Sequence, residues 1–264
     1  MNILVIIFFL FGLIIGSFLN VLVYRLHDAE TILGRSMCRH CRHQIRWYDN
    51  IPLISFVLLA GKCRDCQGKI AWQYPFFEFL TGIFFALTAA FFLPVLDTGN
   101  WAEFIWLLVI ISLFLTIAVY DIKYMEIPLI LLVVSAGVTL LFLLSTWHSG
   151  EHFLTSELGL GIFGGLAVAL FFFALVYASR ETWMGWGDVW LGGVAGMIVG
   201  LPLVLFMLTL SFGFGAIVGL IQIRFSGKNL KTQIPFAPYL VVGVLLTIFL
   251  PKIFPRIMDL FLLV

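Results

Sequence analysis

The sequence predicts an all-α polytopic membrane protein of about eight transmembrane helices with a small cytosolic zinc-binding loop subdomain. Three observations predict it. Of 264 residues, 62% are hydrophobic and only 11% charged, and the mean hydropathy is +1.11. A water-soluble domain carries about 25% charged residues to cover its surface. The apolar residues fall into uninterrupted runs such as 107–119 with no alternation of period two, which excludes a β-barrel. All four cysteines lie in the one long polar segment. Fifteen Lys and Arg against fourteen Asp and Glu leave a net charge of +1, so there is no electrostatic footprint for nucleic acid, which is excluded as a partner.

A spanning helix needs roughly 20 mostly apolar residues, because the hydrocarbon is about 30 Å thick and each helical residue rises about 1.5 Å. The first such run, 3–23, ends before Arg25. No basic segment precedes it and no small-x-small cleavage site follows, so it is expected to be retained. Residues 25–75 are polar and form the cytosolic four-cysteine subdomain. Seven further spans make up 76–264. The run 76–95 follows Tyr74–Pro75, 102–120 is closed by Asp121, and 128–146 opens at Pro128. The run 157–178 precedes Arg180, while 188–201 is short and stops at Pro202. The runs 203–223, before Arg224, and 236–254 complete the set. On this topology only Lys252 and Arg256 of the fifteen basic residues lie opposite the Arg25 side. The positive-inside bias places the termini outside and the long loop in the cytosol.

Cys38, Cys41, Cys63 and Cys66 form two C-x2-C pairs. Two such knuckles present four thiolates to a tetrahedral ion, with metal–sulfur bonds of about 2.3 Å. A reducing cytosol disfavours disulfides, and a segment this short needs a staple to fold. Zinc, in a closed structural site, is the expected ion, with rubredoxin-like iron the alternative. His40 and His43, beside the first knuckle, are expected to face solvent.

An ionisable group at a membrane span is costly and therefore a functional candidate. Asp121 closes the third span and Asp188 opens the sixth. The chain crosses the membrane twice between them, so both belong to the same surface in either orientation. Two close carboxylates do not both ionise cheaply. The charged one can take a proton from water while the protonated one polarises a scissile carbonyl. Gly185 and Gly187 are expected to allow a tight turn and a close backbone approach beside Asp188. Against this, Asp188 could be a helix N-cap and Asp121 an interfacial partner of Lys123. Ser17 has no adjacent base, and His148 and His152 with Glu151 read as an exposed polar loop. No nucleotide-binding glycine fingerprint is present.

Several segments together resemble the type IV prepilin peptidase family of GxGD-type membrane aspartyl proteases. They are Gly16–Ser17–Phe18–Leu19–Asn20 with Tyr24–Arg25, the paired cysteines with Asn50–Ile51–Pro52 and Gly61–Lys62, and Tyr74–Pro75 with Glu78. Tyr120–Asp121 with Ile127–Pro128, Gly185–Trp186–Gly187–Asp188, and Ile234–Pro235–Phe236–Ala237–Pro238 follow in order. The resemblance implies that Asp121 and Asp188 are the catalytic pair. It implies cleavage of a basic leader from type IV prepilins or type II secretion pseudopilins at the cytosolic face of the bacterial inner membrane. It further implies N-methylation of the new terminus with S-adenosylmethionine. Trp190 and Leu129 depart from the family pattern, where Lys and a polar residue are common, and bear on substrate preference. A presenilin-like intramembrane protease would share the Tyr-Asp and Gly-x-Gly-Asp pieces but not the cysteine loop. A proton-coupled transporter would place its acids at mid-depth in repeated halves.

Overall fold

The computed structural model describes residues 2–31, 34–93, 101–148, 152–226 and 234–254. Most of these are helical, with no strand among the described residues beyond two isolated β-bridges. Six helices are long and apolar enough to cross a membrane, and two shorter apolar helices accompany them. The chain divides into two compact units, 1–112 and 113–264.

In the first unit, α1 (Asn2–His27) packs against α3 (Gln73–Phe92). Small residues set this contact. A Cβ on Gly12 would lie 2.8 Å from the Gly82 Cα, and one on Gly16 would lie 2.9 Å from the Glu78 Cα. Backbones approach this closely in a membrane because dispersion, not water exclusion, drives helix association there. The opposite face of α1 carries Ile3, Ile7, Leu10, Ile14 and Phe18, all exposed at helical spacing, as a lipid-facing stripe requires. Buried Asn20 ties the two helices together, donating through Nδ2 to the Gly16 carbonyl (3.3 Å) and to the Tyr74 carbonyl (3.2 Å). Between α1 and α3 the chain forms a 3-10 turn (Trp47–Asn50) and a short helix, α2 (Ile54–Leu58). The predicted span 76–95 thus starts three residues earlier, and 94–95 lie outside the described residues.

Helix α4 (Trp101–Tyr124) begins in the first unit and ends in the second. It runs four residues past the expected end, so Asp121 sits inside its last turn. The left-handed Met125 (φ 55°) terminates it. In the second unit follow α5 (Leu129–Thr146), α6 (Glu157–Ser179), α7 (Trp186–Val199), α8 (Val204–Ser226) and α9 (Ala237–Ile253). Ser156 caps α6, accepting from the Gly159 N–H at 3.1 Å. Helix α7 has 14 residues and is about 21 Å long, less than a hydrocarbon thickness. It stops at Gly200, whose φ of 72° suits only glycine without strain. Helices α6 and α7 meet through glycines: a Cβ on Gly164 would lie 2.5 Å from the Gly196 carbonyl oxygen, and one on Gly165 2.9 Å from that of Gly193. Gly243 of α9 approaches the Met207 carbonyl of α8 in the same way, with 2.9 Å left for a Cβ.

Candidate active site and metal centre

Asp121 and Asp188 both belong to the second unit, where they are 5% and 9% exposed. The Asp121 Oδ2 accepts a hydrogen bond from the Ala237 N–H at 3.0 Å. Ala237 opens α9, and the first N–H groups of a helix have no partner within it. Asp121 satisfies one of them and gains the positive end of the helix dipole. Asp188 lies three residues after Gly185, the N-cap of α7, so it is not itself the N-cap. Its Oδ2 accepts from the Gly185 N–H at 3.1 Å, and its own N–H donates to the Gly185 carbonyl at 3.1 Å. The charge of Asp188 is felt directly at Asp121. Two buried carboxyls near enough to interact do not both ionise cheaply, so one can stay protonated while the other is charged.

The two glycines differ from their expected roles. Gly185 has φ −90° and ψ 165°, extended backbone open to any residue, and the nearest atom to an added Cβ would be the Gly187 nitrogen at 4.0 Å. Gly187 is closely approached, but by a side chain: a Cβ there would meet Ile127 atoms at 3.1 to 3.4 Å. The small residue lets Ile127, just after α4, lie against the first turn of α7. Nearby, Trp186 donates through Nε1 to the Glu181 carboxylate at 2.7 Å. Glu126 is exposed.

The four cysteine sulfurs lie within 4.8 Å of one another, and Cys38 and Cys66 Sγ are 3.8 Å apart. Tetrahedral Zn–S bonds of about 2.3 Å place sulfurs about 3.8 Å apart, so the cluster fits one such ion. The knuckles repeat each other at an offset of 25 residues. Cys38 N–H donates to the His43 carbonyl (2.9 Å) and Cys63 N–H to that of Gly68 (2.8 Å). The bridges Met37–Gln44 and Lys62–Lys69 fall at the same offset, as do the left-handed residues Arg42 (φ 59°) and Gln67 (φ 58°). In the letters only Cys-Arg-x-Cys, which stands in both knuckles, hints at this repeat. Partial burial disfavours the Cys38 thiolate. The Cys41 and His40 backbone donors and neighbouring thiols outweigh it and bring its pKa down to about 6. His40 and His43 are exposed and outside the sulfur cluster, as are His148 and His152. Glu151 lies outside the described residues.

Two further contacts were not visible beforehand. Glu78, 7% exposed in α3, accepts from the Leu53 N–H at 2.9 Å and is hydrogen-bonded by Ser17. Ser17, which lacks a base beside it in sequence, thus has an acid beside it in space. Leu53 has φ 60° and ψ −49°, and the Ile54 N–H reaches the Pro52 carbonyl at 2.6 Å. This is the strained form of the γ-turn, rare for a residue with a Cβ. The only advance signal was Asn50–Ile51–Pro52, which marks a turn but not its type.

Residues 10–92 match the Bacterial Peptidase A24 N-terminal domain and residues 108–220 match the Type IV leader peptidase family. An Escherichia coli protein named type 4 prepilin-like proteins leader peptide-processing enzyme is 31% identical over 92% of this chain and 93% of its own. The chain belongs to the type IV leader peptidase family. Other relatives in this leader peptidase family are named prepilin leader peptidase/N-methyltransferase. Those of Bacillus subtilis (31% identical; 91% of this chain, 92% of that one) and Pseudomonas aeruginosa (30%; 89% and 86%) also match nearly end to end. No solved structure matches at a significant level. The family's N-terminal match spans the four cysteines and Glu78, and its leader peptidase match spans both aspartates.

Proposed function

We propose that this chain is a membrane aspartyl endopeptidase that removes the leader from type IV prepilins or type II secretion pseudopilins and then methylates the new N-terminus. The observation that carries the reading is the pair of buried carboxyls, Asp121 and Asp188, each held by a backbone N–H within the leader peptidase match. One carboxylate removes a proton from water as the water attacks the scissile carbonyl. The other acid, protonated, donates to the carbonyl oxygen. When the C–N bond breaks, a carboxyl proton passes to the leaving amine, and no covalent enzyme intermediate forms. The substrate class comes from the relatives' names, which pair prepilin leader cleavage with N-methylation.

The catalytic face is cytosolic in this reading, supported by the distribution of Lys and Arg, and the bacterial inner membrane lipid holds both enzyme and substrate. The substrate enters laterally as a helix, its basic leader attracted to Glu126, Glu181 or anionic lipid. Cys38, Cys41, Cys63 and Cys66 hold one structural zinc ion, supported by the sulfur spacing. S-adenosylmethionine supplies the methyl group when bound. The test is co-expression with a prepilin. N-terminal sequencing and mass of the product should show leader removal and one added methyl group. A full-length prepilin beside well-inserted enzyme would overturn the reading.

A further inference from the structure

The first unit contains a cavity of about 340 Å³ whose wall includes Ser17, Tyr24, Leu53 and Glu78 and segments of both cysteine knuckles. That volume lies in the range of small-molecule and cofactor sites. Its buried carboxylate is held from two sides, by the Ser17 hydroxyl and the Leu53 N–H. The Leu53 bond requires the strained γ-turn, and backbone strain of this kind concentrates at ligand clamps. Arg64 grips Asp49 on the same wall through two bonds of 2.6 and 2.8 Å, which holds the Asp49 carboxyl below its usual range. A neighbouring groove shares Ser17, Val21 and Arg25 with the cavity and continues along α1 past Ile14 and Phe18. Both are exposed on the lipid-facing side of that helix. The cavity therefore adjoins a route by which the end of a membrane-embedded helix could reach it.

We propose that this cavity is the methyl-donor site and that the Glu78 carboxylate faces the sulfonium of S-adenosylmethionine. The inference rests on the methyltransferase half of the proposed function and deepens it. The donor carries a fixed positive charge on sulfur, which its demethylated product, a neutral thioether, lacks. A partly desolvated carboxylate distinguishes the two by charge alone. Ser17 and Leu53 orient the carboxylate and act through it. The knuckles wall the cavity, which gives the metal centre a reason to sit beside it without touching the transferred group.

The test is equilibrium binding to the full-length protein in lipid nanodiscs, using labelled S-adenosylmethionine and S-adenosylhomocysteine. The wild type should prefer the sulfonium by roughly tenfold or more, the scale of one charge-assisted contact. Glu78→Gln, which keeps the size and an acceptor oxygen, should bring the ratio close to one, with zinc content retained. A ratio that survives in Glu78→Gln overturns the assignment, as does a variant that keeps the ratio but loses affinity for the cleaved substrate's amine. Should Glu78→Gln lose its zinc, Val21→Phe on the cavity wall decides instead. It should weaken both compounds alike, and unchanged binding overturns the site. Ultraviolet crosslinking of the methyl-labelled donor should mark peptides within 17–78, and label confined to the second unit overturns the placement. If the product of co-expression carries no methyl and the wild type binds neither compound, the methyltransferase reading itself fails. A methylated product with a Glu78-independent ratio refutes this inference alone.

Discussion

Asp121 and Asp188 are buried among apolar helices, yet each is engaged by a single backbone N–H, from Ala237 and Gly185 respectively. Asn at either position keeps the shape and can still accept that bond, but it cannot pass a proton. Asp121→Asn and Asp188→Asn should therefore each lower cleavage by roughly 10²–10⁴-fold, measured by conversion of prepilin in nanodiscs, with insertion unchanged. Because the acids act as a unit, the double variant should be little worse than either single one. The wild-type rate should fall at both ends of the pH range, since one carboxyl must be charged and one protonated. The acids themselves were legible in the sequence as charges at the ends of apolar runs. Their partners were not. The Ala237 N–H is 116 residues from Asp121 in sequence, and a backbone donor has no residue type to betray it. Glu78 stood out only as part of a motif, because its contacts with Ser17 and Leu53 depend on how α1 packs against α3 and on the turn at Leu53.

Helices were legible wherever hydropathy length decided the matter, as in α5, whose Leu129–Thr146 span departs from the expected 128–146 by one residue. They were less so where polar residues continue a helix past its apolar run, as at the end of α4. The shortness of α7 follows from Gly200 and Pro202, which end it before it could cross alone. Its place is held by glycine contacts with α6, which leave no room for side chains. Gly164→Leu should force α6 and α7 apart, at a cost above the 1–3 kcal/mol typical of modest overpacking. The expected outcome is a lower melting temperature in detergent and loss of cleavage together. Gly213, around which there is nothing within 4 Å, should tolerate alanine with no loss of either. The knuckle repeat resides in backbone pairing and in two left-handed residues, while only Cys-Arg-x-Cys recurs in the letters, so it is faint in the sequence.

For the molecule as a whole, the acids of the proposed cleavage chemistry lie in one compact unit and the cysteines and cavity in the other. Chelating the proposed zinc, or replacing Cys38 and Cys41 with serine, should reduce methylation of the product more than its cleavage, read from one mass spectrum. Equal losses would mean that the metal supports both activities. Orientation has its own measurement. In intact cells a membrane-impermeant maleimide should label His148→Cys, while Thr182→Cys should react only after permeabilisation. The repeated knuckles also tie this enzyme to its surroundings. Each knuckle closes over a few residues with its own pairing, but 21 residues separate Cys41 from Cys63, and the proposed ion would be what joins the two. A ligand that binds only the folded form stabilises it in proportion to the logarithm of its free concentration. While free zinc stays well above its dissociation constant, each tenfold fall would thus remove about 1.4 kcal/mol from the joined state. Pilus maturation would then respond to metal starvation first in the chemistry of the new N-terminus, while leaders were still being removed.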